Sequence, residues 1–243
     1  MLNQQIINHA KSCGNKESCG FVLKKNNNFE YFPCRNIALN PYDSFEISTE
    51  DWLRAEEIGE VVALVHSHPD DFPILSKTDQ LIQQKTALDW WLVHSNSVYQ
   101  FRLMLPLLGR DFKHGTTDCY TLFRDAYHLS GINLPDFYRK YNWWSEGKNY
   151  YLENMPENGF YKVSANEITE GDVIIICLGS SVPNHAAIYV GEQMILHHCP
   201  NRKSKRDIYN GFWLKYTHSI WRHKEWQSYG FMGISNNLAI NLK

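Results

Sequence analysis

The stretch His66-Ser67-His68-Pro69, continued through Leu75 to Ser76 and then to Asp79, decides how the first half of this chain is read. An apolar run, Val61-Val62-Ala63-Leu64-Val65, precedes it and has the length and composition of a buried strand. Side chains alternate across a strand, so His66 and His68 at its end project to the same side. Beyond a loop containing Pro73, the segment Ser76 to Ala87 reads as a helix with Ser76 at the N-cap and Asp79 at N3. That helix start delivers a carboxylate to the place where the two imidazoles converge. Two nitrogens and one oxygen, with a fourth position open to water, form the ligand set of a catalytic zinc site. Taken singly, a His-x-His pair is often core or surface furniture, and an N3 aspartate is favoured by the helix dipole alone. Their combination after a buried strand points to a metal.

The chain has 243 residues, enough for one large domain or two of modest size. A hydrophobic content of 43% can bury a core, and a net charge of −2 argues against a nucleic-acid binder. The opening Met1-Leu2-Asn3-Gln4-Gln5 has no signal-peptide core, and no apolar run approaches a membrane span. A protein made and folded in the cytoplasm is expected. Six cysteines, Cys13, Cys19, Cys34, Cys119, Cys177 and Cys199, are scattered without a CxxC pair, which indicates neither a disulfide framework nor a thiolate zinc site. Tryptophans crowd the later chain. Core packing accounts for them, although the loop around Trp143-Trp144 is also suited to lining a groove for an extended ligand.

In chain order, residues 2 to 12 fit a short amphipathic helix with Ile6, Ile7 and Ala10 on one face. Glu17 to Leu23 and Phe29 to Cys34 read as a hairpin, and Ser44 to Ile47 as a third short strand. Ser48 or Thr49 caps a helix running to about Ile58, and Trp90 to Val93 with Val98 to Met104 close the sheet around Ser95-Asn96-Ser97. Glu17 opens its strand. Hydrolysis at a zinc site needs a base for the proton of the attacking water, and a carboxylate that does not ligate the metal is suited to it. By itself Glu17 is an ordinary solvated hinge residue. The Ser76 hydroxyl can stabilise a tetrahedral oxyanion, a role that competes with capping for the same side chain.

Glu17-Ser18-Cys19-Gly20 followed by His66-Ser67-His68-Pro69, Ser76 and Asp79 resembles the JAMM (MPN+) metalloprotease signature over roughly the first hundred residues. The resemblance implies zinc held by His66, His68 and Asp79, Glu17 as general base, Ser76 as oxyanion donor, and cleavage of peptide or isopeptide bonds.

A boundary is expected between Pro106 and Gly115. In Thr116 to Tyr127, the positions of Leu122, Phe123 and Ala126 fit a helical face that puts Cys119 in the first turn. There the dipole and free N–H groups favour thiolate over thiol. Gly171 to Ile176 reads as a strand, and Asn184 to Val190 with Met194 to His198 as a hairpin. His185 opens the hairpin and a further histidine ends it, so Cys119, His185 and a third polar group suit nucleophilic catalysis. A two-residue turn at Gly191-Glu192 pairs His185 with His198; one more loop residue puts His197 on the face of His185. The run Arg202-Lys203-Ser204-Lys205-Arg206 reads as a solvated loop. Phe212-Trp213-Leu214 and Ile220 to His223 read as closing strands, and the chain from Lys224 onward as a loosely attached tail.

Asp118-Cys119, the His185 strand and His197 twelve residues later resemble the NlpC/P60 cysteine peptidases over about residues 106 to 225. That resemblance implies cleavage of peptidoglycan stem peptides, typically beside γ-D-glutamyl residues, and its spacing favours His197 as the third catalytic residue. A tyrosine that often precedes the cysteine in this family has no counterpart between Tyr99 and Tyr120, which leaves backbone N–H groups as the oxyanion donors. The expected architecture is α+β with two domains. Residues 1–105 would form an MPN/JAMM-type sheet with flanking helices, and residues 106–243 a papain-like NlpC/P60 domain. This pairing resembles a family of tail-tip assembly proteins of lambda-like siphophages. It implies peptidoglycan stem peptides and other tail-tip proteins as partners, with residence in the host cytoplasm during assembly and then in the virion tail tip. A tail-tip assembly factor that retains these residues without using them is the alternative, and a free cytoplasmic peptidase a third.

Overall fold

The computed structural model describes residues 1–240. The chain forms two compact units, Met1–Met104 and the segment from Leu105 onward. In the first, the order is α1 (Leu2–Cys13), β1 (Cys19–Lys25), β2 (Asn28–Cys34), α2 (Thr49–Ile58), β3 (Glu60–Ser67), α3 (Lys77–Thr86), β4 (Asp89–His94) and β5 (Ser97–Phe101). The strands make one sheet in the order β2-β1-β3-β4-β5. Only the β3–β4 pair is parallel, and α3 is the crossover such a pair requires. Both hairpins close on two residues with left-handed backbone, Asn26-Asn27 and Ser95-Asn96, the conformation that matches strand twist.

The pleat of this sheet sorts its core into two layers. Phe21, Leu23 and Leu64 pack with Ala55, Leu75, Trp90 and Phe101 on one face, while Val22, Ala63 and Val65 pack with Ile6 of α1 on the other. His66, two residues beyond Leu64, therefore enters the first layer, where its ring stacks on Phe45 and meets Trp90 edge-on. The segment Ser44–Ile47 is not a strand. The Asn36 side chain donates to the Ser44 carbonyl and accepts from the Glu46 N–H, taking the hydrogen bonds a neighbouring strand would otherwise supply. Phe45 and Ile47 still reach the core.

The second unit contains α4 (Cys119–Leu129), α5 (Tyr150–Glu157), β6 (Phe160–Val163), β7 (Val173–Ile176), β8 (His185–Tyr189), β9 (Met194–His197), β10 (Lys205–Ile208), α6 (Gly211–Tyr216), β11 (Thr217–His223) and α7 (Gly230–Leu238). Its strands form an antiparallel sheet in the order β10-β9-β8-β7-β11-β6, and α4 packs on β8. The molecule is thus α+β, with helices flanking each sheet. Among the described residues no helix is long and apolar enough to cross a membrane.

Three sequence expectations change here. Phe212-Trp213-Leu214 lies in helix α6 rather than in a strand, and the helix sets the half-buried Trp213 ring against His197. The chain after Lys224 is not loose. It forms α7, which packs on α4 with Ile234 fully buried, and the Asn237 side chain accepts from the Leu107 N–H at 2.7 Å. Lys205 and Arg206 of the basic run belong to strand β10.

The entry to β7 is fixed by two neighbours. Gly171 has φ +92°, and a Cβ there would fall 1.9 Å from the Trp226 ring. Asp172, fully buried, accepts two bonds of 2.8 Å from Arg222 on β11 and a third from the Thr169 N–H. Removing one partner of such a pair strands a buried charge. Arg222→Ala is expected to lower unfolding stability by about 3–5 kcal/mol, read from the urea midpoint of the second unit. A loss below about 1 kcal/mol, the worth of a surface pair, would refute this account.

Candidate active sites

In the first unit, His66 and His68 leave the end of β3 on one side, and α3 begins opposite them. Ser76 caps that helix: its Oγ accepts from the Asp79 N–H at 3.1 Å, and Asp79 Oδ2 accepts from the Ser76 N–H at 2.8 Å. This reciprocal cap holds the carboxylate 3.6 Å from His66 Nε2 and 3.4 Å from His68 Nε2, with the two nitrogens 3.1 Å apart. Tetrahedral zinc with bonds of about 2.0–2.2 Å to nitrogen and oxygen spaces its ligand atoms by about 3.3–3.5 Å. The three atoms fit such an ion.

The chemistry of the donor set agrees. His68 Nδ1 lies 3.2 Å from the Phe72 carbonyl; donating its proton there leaves the Nε2 lone pair facing the cluster. His66 is fully buried, which lowers its pKa and keeps it neutral. Burial alone would raise Asp79, yet His66, His68 and Ser76 hold its carboxyl far below the usual range. Burial would lower His68, but its contacts with Asp79 and the Phe72 carbonyl outweigh that and raise its pKa, so the cluster draws positive charge, which a bound cation supplies.

Glu17, 7% exposed, lines the same cleft as His68, Ser76 and Asp79. Its backbone is pinned: the N–H donates to the Pro41 carbonyl, and its own carbonyl accepts from Asn36. The next residue, Ser18, donates its N–H to Ser67 Oγ at 2.8 Å, which ties this segment to the end of β3. Burial pushes the Glu17 carboxyl up to about 7, opposed by His68 and reinforced by Asp79, Asp43 and Asp71. A carboxyl poised near neutrality is matched to accepting a proton from water. The two roles considered for Ser76 are compatible, because an Oγ that accepts from Asp79 keeps its own hydrogen to donate.

In the second unit, Cys119 opens α4 behind the N-cap Asp118, whose Oδ1 accepts from the Thr121 N–H while Thr121 Oγ1 accepts from the Asp118 N–H. Arg139 holds the other carboxylate oxygen at 3.2 Å. Cys119 Sγ lies 3.2 Å from the Tyr151 hydroxyl of α5, and the Ala186 N–H hydrogen-bonds it. Cys119, Tyr151 and His185 line one cavity of about 160 Å³, walled by Tyr120, Trp143 and Trp144. Trp143 is thus both a buried packing residue and part of the wall, so the two readings of that loop coexist.

Val190 after β8 donates its N–H to the Met194 carbonyl, which leaves a turn of three residues, Gly191, Glu192 and Gln193, and Ala187 pairs with His197. His197 therefore shares the face of His185, and His185 Nε2 lies 3.3 Å from His197 Nδ1. His197 Nε2 lies in turn 3.0 Å from Asp207 Oδ2 on β10. Trp213 covers the pair, 4.4 Å from the His197 ring. His198 turns elsewhere, edge-on to Phe112.

The helix N-terminus favours the Cys119 thiolate, but its surroundings oppose it. Burial, and after it the Asp118 carboxylate, pushes its thiol up to about 11 despite the Tyr151 and Ala186 contacts. The resting nucleophile is a thiol that needs a base. Alkylation of Cys119 in the native protein by iodoacetamide, read by peptide mass, is expected to rise about tenfold per pH unit between about pH 7 and 10, because only the thiolate reacts. A flat profile through neutrality would instead indicate a preformed thiolate–imidazolium pair.

Tyr151, Asp207 and Trp213 were not singled out in the sequence. Tyr151 stands 32 residues after the cysteine rather than before it, and only tertiary packing brings it to the sulfur. Asp207 had a weak signal, since it follows Lys205, the partner of His197, by two residues on the next strand.

Residues 1–105 match the prokaryotic homologs of the JAB domain, and residues 109–222 match the NlpC/P60 family. Tail tip assembly protein K of Escherichia phage lambda is 53% identical over 193 residues, 79% of this chain and 97% of that protein. Its counterpart in Escherichia phage N15 is 36% identical over 229 residues, 90% and 93% of the two chains. An NlpC/P60 family protein from Bacillus cereus has a solved structure that aligns at a TM-score of 0.39 and 14% identity, over 92% of this chain and 67% of that one. That structural likeness is too slight to add to the assignment, which rests on the phage proteins. With a JAB-like half followed by an NlpC/P60 half, the chain belongs to the family of phage tail tip assembly proteins K.

Proposed function

We infer that this chain is a bifunctional peptidase of a phage tail tip, made in the host cytoplasm and carried to the wall with the particle. Its residues 106–243 would hydrolyse peptidoglycan stem peptides, and residues 1–105 would act as a zinc-dependent peptide or isopeptide hydrolase. The observation that carries the reading is the relay from the Cys119 cavity through His185 and His197 to Asp207. Asp207 fixes the proton of His197 on Nε2, so His197 Nδ1 accepts from His185 Nε2 and orients that ring. His185 Nδ1 is then the nitrogen left to take the Cys119 proton as sulfur attacks the scissile carbonyl. The Tyr151 hydroxyl, kept protonated by burial and the nearby Cys119, is placed to donate to the developing oxyanion. His185 returns the proton to the leaving amine, then serves as base for the water that releases the acyl group.

In the first half, zinc held by His66, His68 and Asp79 would polarise a carbonyl and acidify water. Glu17 takes the water's proton and delivers it to the departing amine, while the Ser76 hydroxyl donates to the oxyanion. The deciding experiment is muropeptide release from purified sacculi by the native protein and by Cys119→Ala and Glu17→Gln in parallel. Release by the native protein that is lost in Cys119→Ala supports the reading; no release under any condition leaves an assembly factor that keeps these residues unused.

A further inference from the structure

The histidine pair of the second unit has a third neighbour. Cys199, two residues past His197 and on the same face of the β9 direction, places Sγ 3.5 Å from His197 Nδ1 and 3.9 Å from His185 Nε2. The two nitrogens are 3.3 Å apart. An ion bound tetrahedrally at about 2.0–2.1 Å to nitrogen and about 2.3 Å to sulfur spaces its ligands by about 3.3–3.4 Å between nitrogens and about 3.6 Å from nitrogen to sulfur. The observed triangle is close to that one, and no side chain has to move by more than a few tenths of an ångström.

The surroundings are those of a metal site as well. Asp207 accepts from His197 Nε2, the carboxylate–histidine arrangement that fixes a ligating imidazole with its other nitrogen facing the ion. Both histidines are buried and Cys199 is half-buried. Cys199 and Asp207 border a surface depression of about 520 Å³ with Pro200 and Trp213, which gives an ion a way in beside the sulfur.

We propose that His185, His197 and Cys199 form a second metal site, selective for a soft divalent cation such as Zn2+, and that its occupancy switches the cysteine peptidase off. An ion on His185 Nε2 replaces the hydrogen bond to His197. The other nitrogen then carries the proton of a neutral coordinated imidazole and cannot take one from Cys119. The ion displaces one proton, from the Cys199 thiol, and no redox step is involved. The two halves of the chain thus respond to one metal in opposite senses: His66, His68 and Asp79 need it, while His185 is blocked by it. The inhibitory role rests on the peptidase reading given above; the binding site does not.

The test uses the full chain stripped of metal and titrated with Co2+ and Zn2+. Cobalt bound to thiolate gives a near-ultraviolet charge-transfer band, and the His66–His68–Asp79 site has no sulfur ligand to produce one. The native protein is expected to bind two equivalents and show the band. Cys199→Ser and Cys199→Ala should each lose the band and one equivalent, His66→Ala with His68→Ala should keep the band and lose the other, and Cys119→Ala should keep both. An absent band, or one that survives loss of Cys199, overturns the site. In sacculus digestion, zinc beyond the first equivalent should slow the native protein by more than about tenfold and leave Cys199→Ser at its own metal-free rate. Equal inhibition of both proteins overturns the switch. Should no digestion occur at all, the peptidase reading fails, while the cobalt band still decides the site.

Discussion

Cys119→Ala is expected to lower muropeptide release from sacculi by about 10⁴-fold or more, to the level set by binding and oxyanion contacts alone. The size follows from the way the cluster works as a unit. Without sulfur there is no acyl intermediate, so His185 has no proton to take and Tyr151 no oxyanion to meet. His185→Ala should therefore cost about as much as Cys119→Ala, and the double variant no more than either. Tyr151→Phe keeps the ring that packs against Tyr120 and Trp143 but removes the donor 3.2 Å from sulfur. Loss of one oxyanion donor costs about 10²–10³-fold in turnover. Asp207→Asn keeps a hydrogen-bonding side chain beside His197 and removes the charge, so its effect should be smaller than that of His185→Ala and should appear in turnover rather than in KM. The Cys119 side chain borders a cavity and alanine removes only its sulfur, so the alanine variant should unfold near the native urea concentration. Additive losses in the double variant would mean that sulfur and imidazole act separately and would count against the relay.

What could be read before the structure divides along the distance between cooperating residues. His66, His68, Ser76 and Asp79 sit within one strand, loop and helix start, where strand alternation and helix capping fix directions without tertiary information. Which of His197 and His198 faces His185 depended only on the length of one turn, and the third turn residue puts His197 there. Tyr151 and Asp207 reach their partners from α5 and β10, which no local pattern ties to Cys119 or His197. Helix α7 was missed for a different reason. Gly230, Gly233 and the Asn236-Asn237 pair have poor helix propensity, and packing on α4 supplies what propensity lacks: Gly230 lies so close to Ser130 that an added Cβ would come within 3.2 Å of its Cβ. Helix α6 was mistaken for a strand because Phe212-Trp213-Leu214 carries strand-forming side chains; the contacts of the half-buried Trp213 ring with His185 and His197 are made from a helix instead. A helix N-terminus contributes about 0.3–1 kcal/mol near the surface, and burial beside the Asp118 carboxylate pushes the Cys119 thiol the other way, a balance no local pattern reveals.

Zinc is expected to protect the first unit of the native protein from unfolding, and Asp79→Asn to abolish that protection while leaving the metal-free fold in place. An ion that binds only the folded state at about 1,000 times its dissociation constant stabilises by about 4 kcal/mol. The readout is amide hydrogen exchange across β3 and α3, made in the Cys199→Ser background so that only the His66–His68–Asp79 site responds. Asparagine separates two functions of one side chain. Its amide oxygen can still accept from the Ser76 N–H and keep the helix cap, while the negative charge between the imidazoles is lost. Without that charge, two neutral histidines with Nε2 atoms 3.1 Å apart offer only a weak two-ligand site. Asp79→Ala should also lose the bond from the Ser76 N–H, leaving only the Ser76 Oγ half of the reciprocal cap, and show faster exchange in the first turn of α3 even without metal. Glu17→Gln gives the opposite pattern. Glu17 lines the cleft but supplies none of the three converging atoms, so zinc protection should persist undiminished. Loss of protection in Glu17→Gln would make Glu17 a fourth ligand rather than a base, and would close the coordination position that hydrolysis requires.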